Sequence, residues 1–291
     1  MRSSGDTQQG SQEVNLELPF RYDGKRVVVS GGGGGGMGAA AVEQLSQLGA
    51  EIHVLDLREP PIEVASYRAV DLRDPTAMEA AVDAIDGTLH ALFNCAGVPG
   101  PPFFSDVDTM LVNFAAPHHL ARLVAARMTE GGAICTISSA AGVGWLMHID
   151  QWKPLIATES FAETAAWIEG HPAEIAGGYA PSKEAIIVWT LHAAIDYGER
   201  GIRLNCITPG TTQTPMADQF DQMPETAQFG DLFTGAMRRR SLPAEQGWPM
   251  VFLNSDAASF ITGANLSTDG GAVGAMMTGR MVIDLGAGVS D

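Results

Sequence analysis

Between Ser30 and Met37 the chain runs through six consecutive glycines, Gly31 to Gly36, and Gly38 follows one residue later. No other feature limits the fold so strongly. Glycines in series are poor material for the interior of a helix or strand, since each loses backbone freedom on ordering and packs no side chain. They are flanked by the β-branched run from Arg26 to Ser30 and by Ala41, Leu45 and Leu48 at helical spacing. The run therefore reads as a tight turn between a strand and a helix, the helix covering Met37 to Leu48 and stopping at Gly49.

The same unit recurs along the chain. A second strand, Glu51 to Leu55, closes on Asp56; others follow at Arg68 to Leu72, Leu89 to Cys95 and Ala133 to Ile137, with helices at Pro75 to Ile85 and Asp106 to Met128. Further on come a helix from Tyr179 to Tyr197, a strand at Ile202 to Ile207, a helix near Pro243 to Leu253 and a last strand at Asn265 to Thr268. Strands that are apolar along their whole length and alternate with helices belong to a parallel sheet buried on both faces. The expected fold is α/β, a doubly wound parallel sheet of Rossmann type, in one domain over residues 23–291. Residues 1–22, rich in Ser, Gln and Gly, read as a flexible extension with ordered contacts near Pro19 and Phe20.

In such a sheet a glycine turn has a chemical use. It lets the backbone approach a pyrophosphate, and the helix that follows offers unpaired N–H groups to the negative charge. Asp56 closes the second strand at the spacing where a carboxylate accepts hydrogen bonds from the ribose hydroxyls and repels a 2'-phosphate. The cofactor this predicts is NAD rather than NADP.

The motifs that follow resemble those of the short-chain dehydrogenase/reductase family, over nearly the whole of residues 25–271. That family's Thr-Gly-xxx-Gly-x-Gly turn is similar to the glycine run if anchored on Gly36-Met37-Gly38; anchoring on Ser30-Gly31 leaves one extra residue, so both anchors stay open. Asn94-Cys95-Ala96-Gly97 resembles its Asn-Asn-Ala-Gly, Asn113 the Asn of its following helix, and Ser139 its catalytic Ser. Tyr179-Ala180-Pro181-Ser182-Lys183 resembles its Tyr-xxx-Lys, and Pro209-Gly210 with Thr214-Pro215-Met216 the segment that holds the nicotinamide carboxamide. The resemblance implies a catalytic set of Asn113, Ser139, Tyr179 and Lys183. It also implies cofactor contacts from Gly32, Gly36, Met37 and Gly38, from Asp56 and Leu57, from Asp71 and Leu72 beside the adenine, from Asn94, Ala96 and Gly97, from Tyr179 and Lys183, and from Pro209, Gly210, Thr212, Thr214 and Met216.

Residues four apart on a helix share a face, so Lys183 can set its ammonium beside the Tyr179 phenol. With the positive nicotinamide ring also near, the resemblance implies a phenol acidic enough to act as general base in alcohol oxidation or general acid in ketone reduction. Ser139 would steady the substrate oxygen, and Asn113 would hold a water between Lys183 and solvent. Cys95, Cys135 and Cys206 lie in or at the ends of core strands and read as inert thiols, and His118 and His119 as packing or surface residues. No cysteine–histidine spacing suggests a metal.

Composition narrows the partners. With 34 acidic against 17 basic residues and a formal charge of −17, the chain would repel phosphate backbones and anionic lipid, so neither nucleic acid nor membrane is expected as a partner. The basic run Arg238-Arg239-Arg240 reads as a solvated turn. No stretch is apolar enough to span a bilayer, and Met1 to Gly10 lack an apolar signal core, so a cytoplasmic protein is expected.

Ser139 and Tyr179 are 40 residues apart, longer than is usual in the family, and this resembles the bacterial 3α-hydroxysteroid dehydrogenase/carbonyl reductase subgroup. The insertion, residues 145–176, contains a predicted helix from Thr158 to Glu169 with Thr158 as its N-cap. A segment at 211–240 bearing Met216, Phe220, Met223, Phe229, Leu232, Phe233 and Met237 reads as an apolar substrate lid. The expectation is an oxidoreductase for a hydrophobic, alicyclic or steroid-like alcohol or ketone, assembled as a homodimer or homotetramer. A cis-dihydrodiol or cyclic-polyol dehydrogenase and a non-catalytic dinucleotide sensor are the alternatives.

Overall fold

The computed structural model describes residues 18–223 and 233–281. Seven parallel strands form one sheet: β1 Arg26–Ser30, β2 Glu51–Asp56, β3 Ser66–Ala69, β4 Leu89–Asn94, β5 Met128–Ile137, β6 Arg203–Pro209 and β7 Asn265–Thr268. Their order is β3-β2-β1-β4-β5-β6-β7. Winding reverses between β1 and β4, where neighbouring strand ends diverge into helices on opposite faces and leave a crevice. The glycine run leaves β1 at that point, and Cys95 to Gly97 leave β4 beside it.

Alternation along each strand feeds two cores. Val27 and Val29 of β1, Val54, Phe93, Cys135 and Ile207 pack on α1, Met37–Gln47, and α9, Pro243–Asn254, through Leu45, Met250 and Val251. Val28, Leu92, Ile134 and Leu204 face the other way, onto α2, Pro75–Asp83, α4, Ala116–Ala125, and α7, Tyr179–Glu199. Cys135 and Cys206 are buried in these cores and burial pushes their thiols up, which keeps them protonated.

Four boundaries differ from the sequence reading. Tyr22, assigned to the flexible extension, is fully buried, and its hydroxyl donates to the Val251 carbonyl at 2.7 Å, so the ordered domain begins before residue 23. The third strand lies at Ser66–Ala69 rather than Arg68 to Leu72; its alternation is weak because it sits at the sheet edge. The single helix expected over Asp106 to Met128 is instead α3, Asp106–Met110, a π-helical turn, Leu111–Ala115, and α4, while Met128 already belongs to β5. Periodicity cannot register a wider turn that keeps the same face buried.

In the insertion, α5, Ile149–Ile156, precedes α6, Phe161–Gly170. Ser160 and not Thr158 caps α6, accepting from Glu163 N at 3.2 Å, while Thr158 Oγ1 bonds back to Leu155 O at 2.8 Å. Trp152, Leu155, Phe161 and Ile168 join the core beside α7, so the insertion packs as part of the domain. Of the lid residues, Phe229 and Leu232 fall outside the described residues. Arg239 and Arg240 pair with Glu245 and Asp221 at the surface, in keeping with the solvated turn expected there. No helix of the described residues is long and apolar enough to cross a membrane.

Candidate active site

Two of the glycines fix the turn. Gly31 has φ +78°, and a Cβ there would run into the backbone of Ala96 at the end of β4. A Cβ on Gly38 would strike the Gly31 carbonyl and come within 2.8 Å of Cys95 Cβ, so these two glycines set the approach of α1 to the strand ends. The first anchor is thus Gly31, with six residues between the two fixed glycines; the extra residue is absorbed in the loop. Gly36 is the N-cap of α1 and supplies no side-chain cap, so the first amides of the helix face the crevice. This cradle fits a pyrophosphate.

Asp56 lies beside it. Its Oδ2 accepts from Gly33 N at 2.8 Å and its Oδ1 from Arg58 N at 2.9 Å, while Leu57 is exposed. The Arg58 guanidinium covers Gly34: a Cβ on that glycine would lie 2.6 Å from Nη2. Asp71, past β3, is held by Arg73, which also reaches Asp108 at 3.0 Å; the guanidinium keeps the Asp71 carboxyl below its usual range. Leu72 is buried. Asn94 is spent inside the sheet, its amide donating to Thr136 Oγ1 at 3.3 Å and Pro117 O at 3.4 Å, and it is 2 % exposed. Its side chain therefore braces β4 rather than reaching a cofactor.

The remaining residues converge on Gly97. A Cβ at that position would stand 3.2 Å from Asn113 Oδ1, 3.7 Å from Lys183 Nζ and 3.7 Å from Met216 Cε. Pro209 ends β6 and Gly210 follows it; Thr212 bonds Ser241 at 2.8 Å, and Thr214 caps α8, Pro215–Asp221, with its methyl group 3.7 Å from a Cβ built on Gly36. The lid base and the glycine turn thus meet. Met37, first residue of α1, is partly buried against the core beneath.

Ser139 caps a 3-10 stretch, Ala140–Met147, accepting from Ala141 N at 3.2 Å. Tyr179 opens α7 after Gly177 and Gly178, both at positive φ, and its ring meets Phe220 edge-on at 5.0 Å. Burial raises the phenol above its ordinary range, and a hydrogen bond from Ser139 opposes the rise. Lys183 is 3 % exposed, its Nζ 5.4 Å from the centre of the Tyr179 ring and donating to Ile137 O at 3.1 Å; burial pulls it down to about 8. Ser139, Tyr179 and Lys183 are therefore joined in space across 44 residues of sequence. In the chain alone burial outweighs the Ser139 bond and the phenol stays weakly acidic.

The Asn113 side chain braces the loop after β4 and α7. Its Oδ1 accepts from Val98 N at 2.8 Å and its Nδ2 donates to Val98 O at 3.0 Å and to Ser182 Oγ at 3.1 Å, which leaves no side-chain donor for a water. Arg58, Ser138, Ser182 and Glu184 were not singled out in the sequence. A polar residue on the buried stripe of a helix was the available signal for Ser182 and Glu184. The cavity under the lid base, about 220 Å³, is lined by Gly210, Phe233, Met237, Gln246 and Asp269 and includes none of Ser139, Tyr179 and Lys183.

Comparison with known proteins agrees with this geometry. A family model described as short chain dehydrogenase matches residues 25–150, and one described as enoyl-(acyl carrier protein) reductase matches residues 146–273. The chain is 31% identical to the 3-alpha-hydroxysteroid dehydrogenase/carbonyl reductase of Comamonas testosteroni, over 84% of this chain and 95% of that one. It is 29% identical to the coniferyl-alcohol dehydrogenase of a Pseudomonas strain, over 85% and 96%. The crystal structure of the 3-alpha-hydroxysteroid dehydrogenase from Pseudomonas sp. B-0831 complexed with NADH superposes with a TM-score of 0.73 at 26% identity, covering 89% of this chain and all of that one. Matched in sequence from β1 to β7 and in the order and winding of its sheet, the chain belongs to the short-chain dehydrogenase/reductase family.

Proposed function

We propose that the chain is an NAD-dependent dehydrogenase that interconverts a secondary alcohol and a ketone on a hydrophobic, alicyclic or steroid-like skeleton. The observation that carries the reaction type is the Ser139–Tyr179–Lys183 group, with Lys183 buried and Ser139 and Tyr179 half-buried, opening on Gly97. When bound, the nicotinamide supplies hydride acceptor or donor chemistry. The chain's residues do the rest. Tyr179 takes the alcohol proton during oxidation and returns it during reduction. The single Ser139 hydroxyl proton goes to the Tyr179 oxygen in the free chain and to the substrate oxygen when substrate is bound. Lys183, charged below about pH 8, favours the phenolate over the phenol. Asn113 holds Val98, and with it the loop in which a Cβ on Gly100 would stand 3.6 Å from Tyr179 Cβ. Asp56 supports NAD over NADP, since a 2'-phosphate beside its carboxylate would be repelled.

The substrate class rests on the site's surroundings. Phe220 packs on Tyr179, and the exposed large apolar residues include Phe103 in the loop after β4, Leu146 and Met147 at the end of the stretch that Ser139 caps, and Met277 in α10, Ala272–Met277, which packs on that stretch. Apolar side chains on these segments suit a rigid hydrocarbon skeleton better than a polyol. Nicotinamide absorbance, followed with NAD and with NADP against hydroxysteroids, coniferyl alcohol and cyclohexadiene diols, tests the proposal. Turnover of a cyclic secondary alcohol with NAD is expected. Preference for NADP, or for the diols alone, would overturn the respective part.

A further inference from the structure

Three successive residues of α7 each hold a different neighbour. Ser182 accepts from Asn113 and so ties the helix to the π-helical turn. Lys183 reaches Ile137 at the end of β5, while its own carbonyl accepts from Ser138 Oγ at 2.7 Å. Glu184 turns away from the site toward the insertion. Its side chain is 10 % exposed; Oε2 accepts from Trp152 Nε1 at 3.1 Å and lies 2.7 Å from His148 Nδ1. Trp152 is 1 % exposed, so its N–H has no water to turn to.

The stretch that begins at Ser139 runs directly over these residues. A Cβ on Gly142 would lie 2.9 Å from the Lys183 carbonyl carbon, and one on Gly144 would lie 2.5 Å from Glu184 Oε1. Two glycines thus let the backbone settle on α7. Ser138 pins one end of the stretch to Lys183, and Glu184 pins the other through His148, which follows it. Ser139 lies between the two pins.

We propose that Glu184 is a positioning residue, holding His148 and Trp152 so that the stretch carrying Ser139 stays seated on α7 and Ser139 stays against the Tyr179 hydroxyl. The inference rests on the reading of Tyr179 as the proton-transferring group. Glu184 itself touches none of Ser139, Tyr179 or the glycine turn through its carboxylate. Its loss therefore acts on the chemical step and spares the glycine turn and Asp56, the cradle that fits the pyrophosphate and ribose.

Glu184→Ala, Glu184→Gln, Trp152→Phe and Tyr179→Phe, made in the full chain, test it through kcat, KM, NAD affinity by calorimetry and the pH dependence of kcat. Glu184→Ala is expected to lower kcat on the order of tenfold to a hundredfold, the scale of a small misplacement of a reacting group, with NAD affinity unchanged within about twofold. Its alkaline-rising limb for alcohol oxidation should move to higher pH, because a phenolate without the Ser139 bond is a stronger base, and Lys183 is the charged group over its ring. Glu184→Gln keeps an acceptor for Trp152 and should recover most of kcat; Trp152→Phe should lose part of it, and both report if the alanine variant does not fold. An unmoved kcat and pH limb, or NAD affinity falling in step with kcat, overturns the proposal. Undiminished turnover in Tyr179→Phe would instead refute the reading beneath it.

Discussion

The side-chain amide of Asn113 donates to the hydroxyl of Ser182 at 3.1 Å, and that hydroxyl donates in turn to the Tyr179 carbonyl at 2.6 Å. A residue on a π-helical turn is thereby connected through one side chain to the backbone of the residue that opens α7. Both groups are fully buried, so every bond lost on substitution leaves a partner without water. Asn113→Ala strands Val98 N, Val98 O and the Ser182 lone pair and should cost about 3 kcal/mol of unfolding free energy, against about 1 kcal/mol for Ser182→Ala. Urea unfolding of the two variants measures the difference. Equal losses would mean that the Val98 bonds contribute nothing.

Tyr179→Phe removes one oxygen and keeps the ring that meets Phe220 at 5.0 Å, so the fold and the lid contact should survive. The loss of a general acid–base group is expected to lower kcat by about a thousandfold while leaving NAD affinity in place. A loss below about tenfold would transfer the proton step to another group.

How much of this was legible in the sequence depends on the kind of residue. The β–turn–α order could be read because β1, β2, β4 and β6 bury both faces and the glycine run leaves one local solution. The Tyr179 and Lys183 pair could be read because helix geometry alone puts them on one face. The anchoring glycine could not, since six identical residues offer no contrast, and only the approach of Ala96 to Gly31 selects it. Asn94 and Asn113 were placed in the site by motif, yet their amides are consumed by Thr136, Pro117, Val98 and Ser182, partners 15 to 69 residues distant that no local pattern reveals. Glu184 belongs with these: its partners lie in an insertion of this chain.

The glycine run offers a comparison within one loop. Gly31→Ala must hold a side chain at φ +78° against the Ala96 backbone, whereas Gly35→Ala, at φ +72°, meets nothing within 4 Å. The first should cost about 3 kcal/mol or more and the second about 1 kcal/mol, the cost of the left-handed conformation alone. Thermal unfolding with and without NAD would rank them. Similar losses would show that Gly31 is not the fixed point of the turn.

Lys183 links stability to pH with a sign that can be worked out. Its folded value, about 8, lies below the ordinary 10.5 because burial disfavours the ammonium, a difference worth about 3 kcal/mol. Below about pH 8 the lysine is charged in both folded and unfolded chains, and the folded chain carries the whole cost. Between about 8 and 10.5 the folded chain releases its proton first and the cost shrinks; above that range it is gone. Lys183→Met should therefore be inactive yet more stable than the parent by about 2 kcal/mol near pH 7, once about 1 kcal/mol is deducted for the lost bond to Ile137 O. Near pH 11 the order should reverse, with the variant about 1 kcal/mol less stable. Unfolding free energies of both proteins at the two pH values decide it, and a methionine variant that is the less stable at neutral pH would mean that the buried ammonium is stabilised by the fold and not merely tolerated for the chemistry it supports.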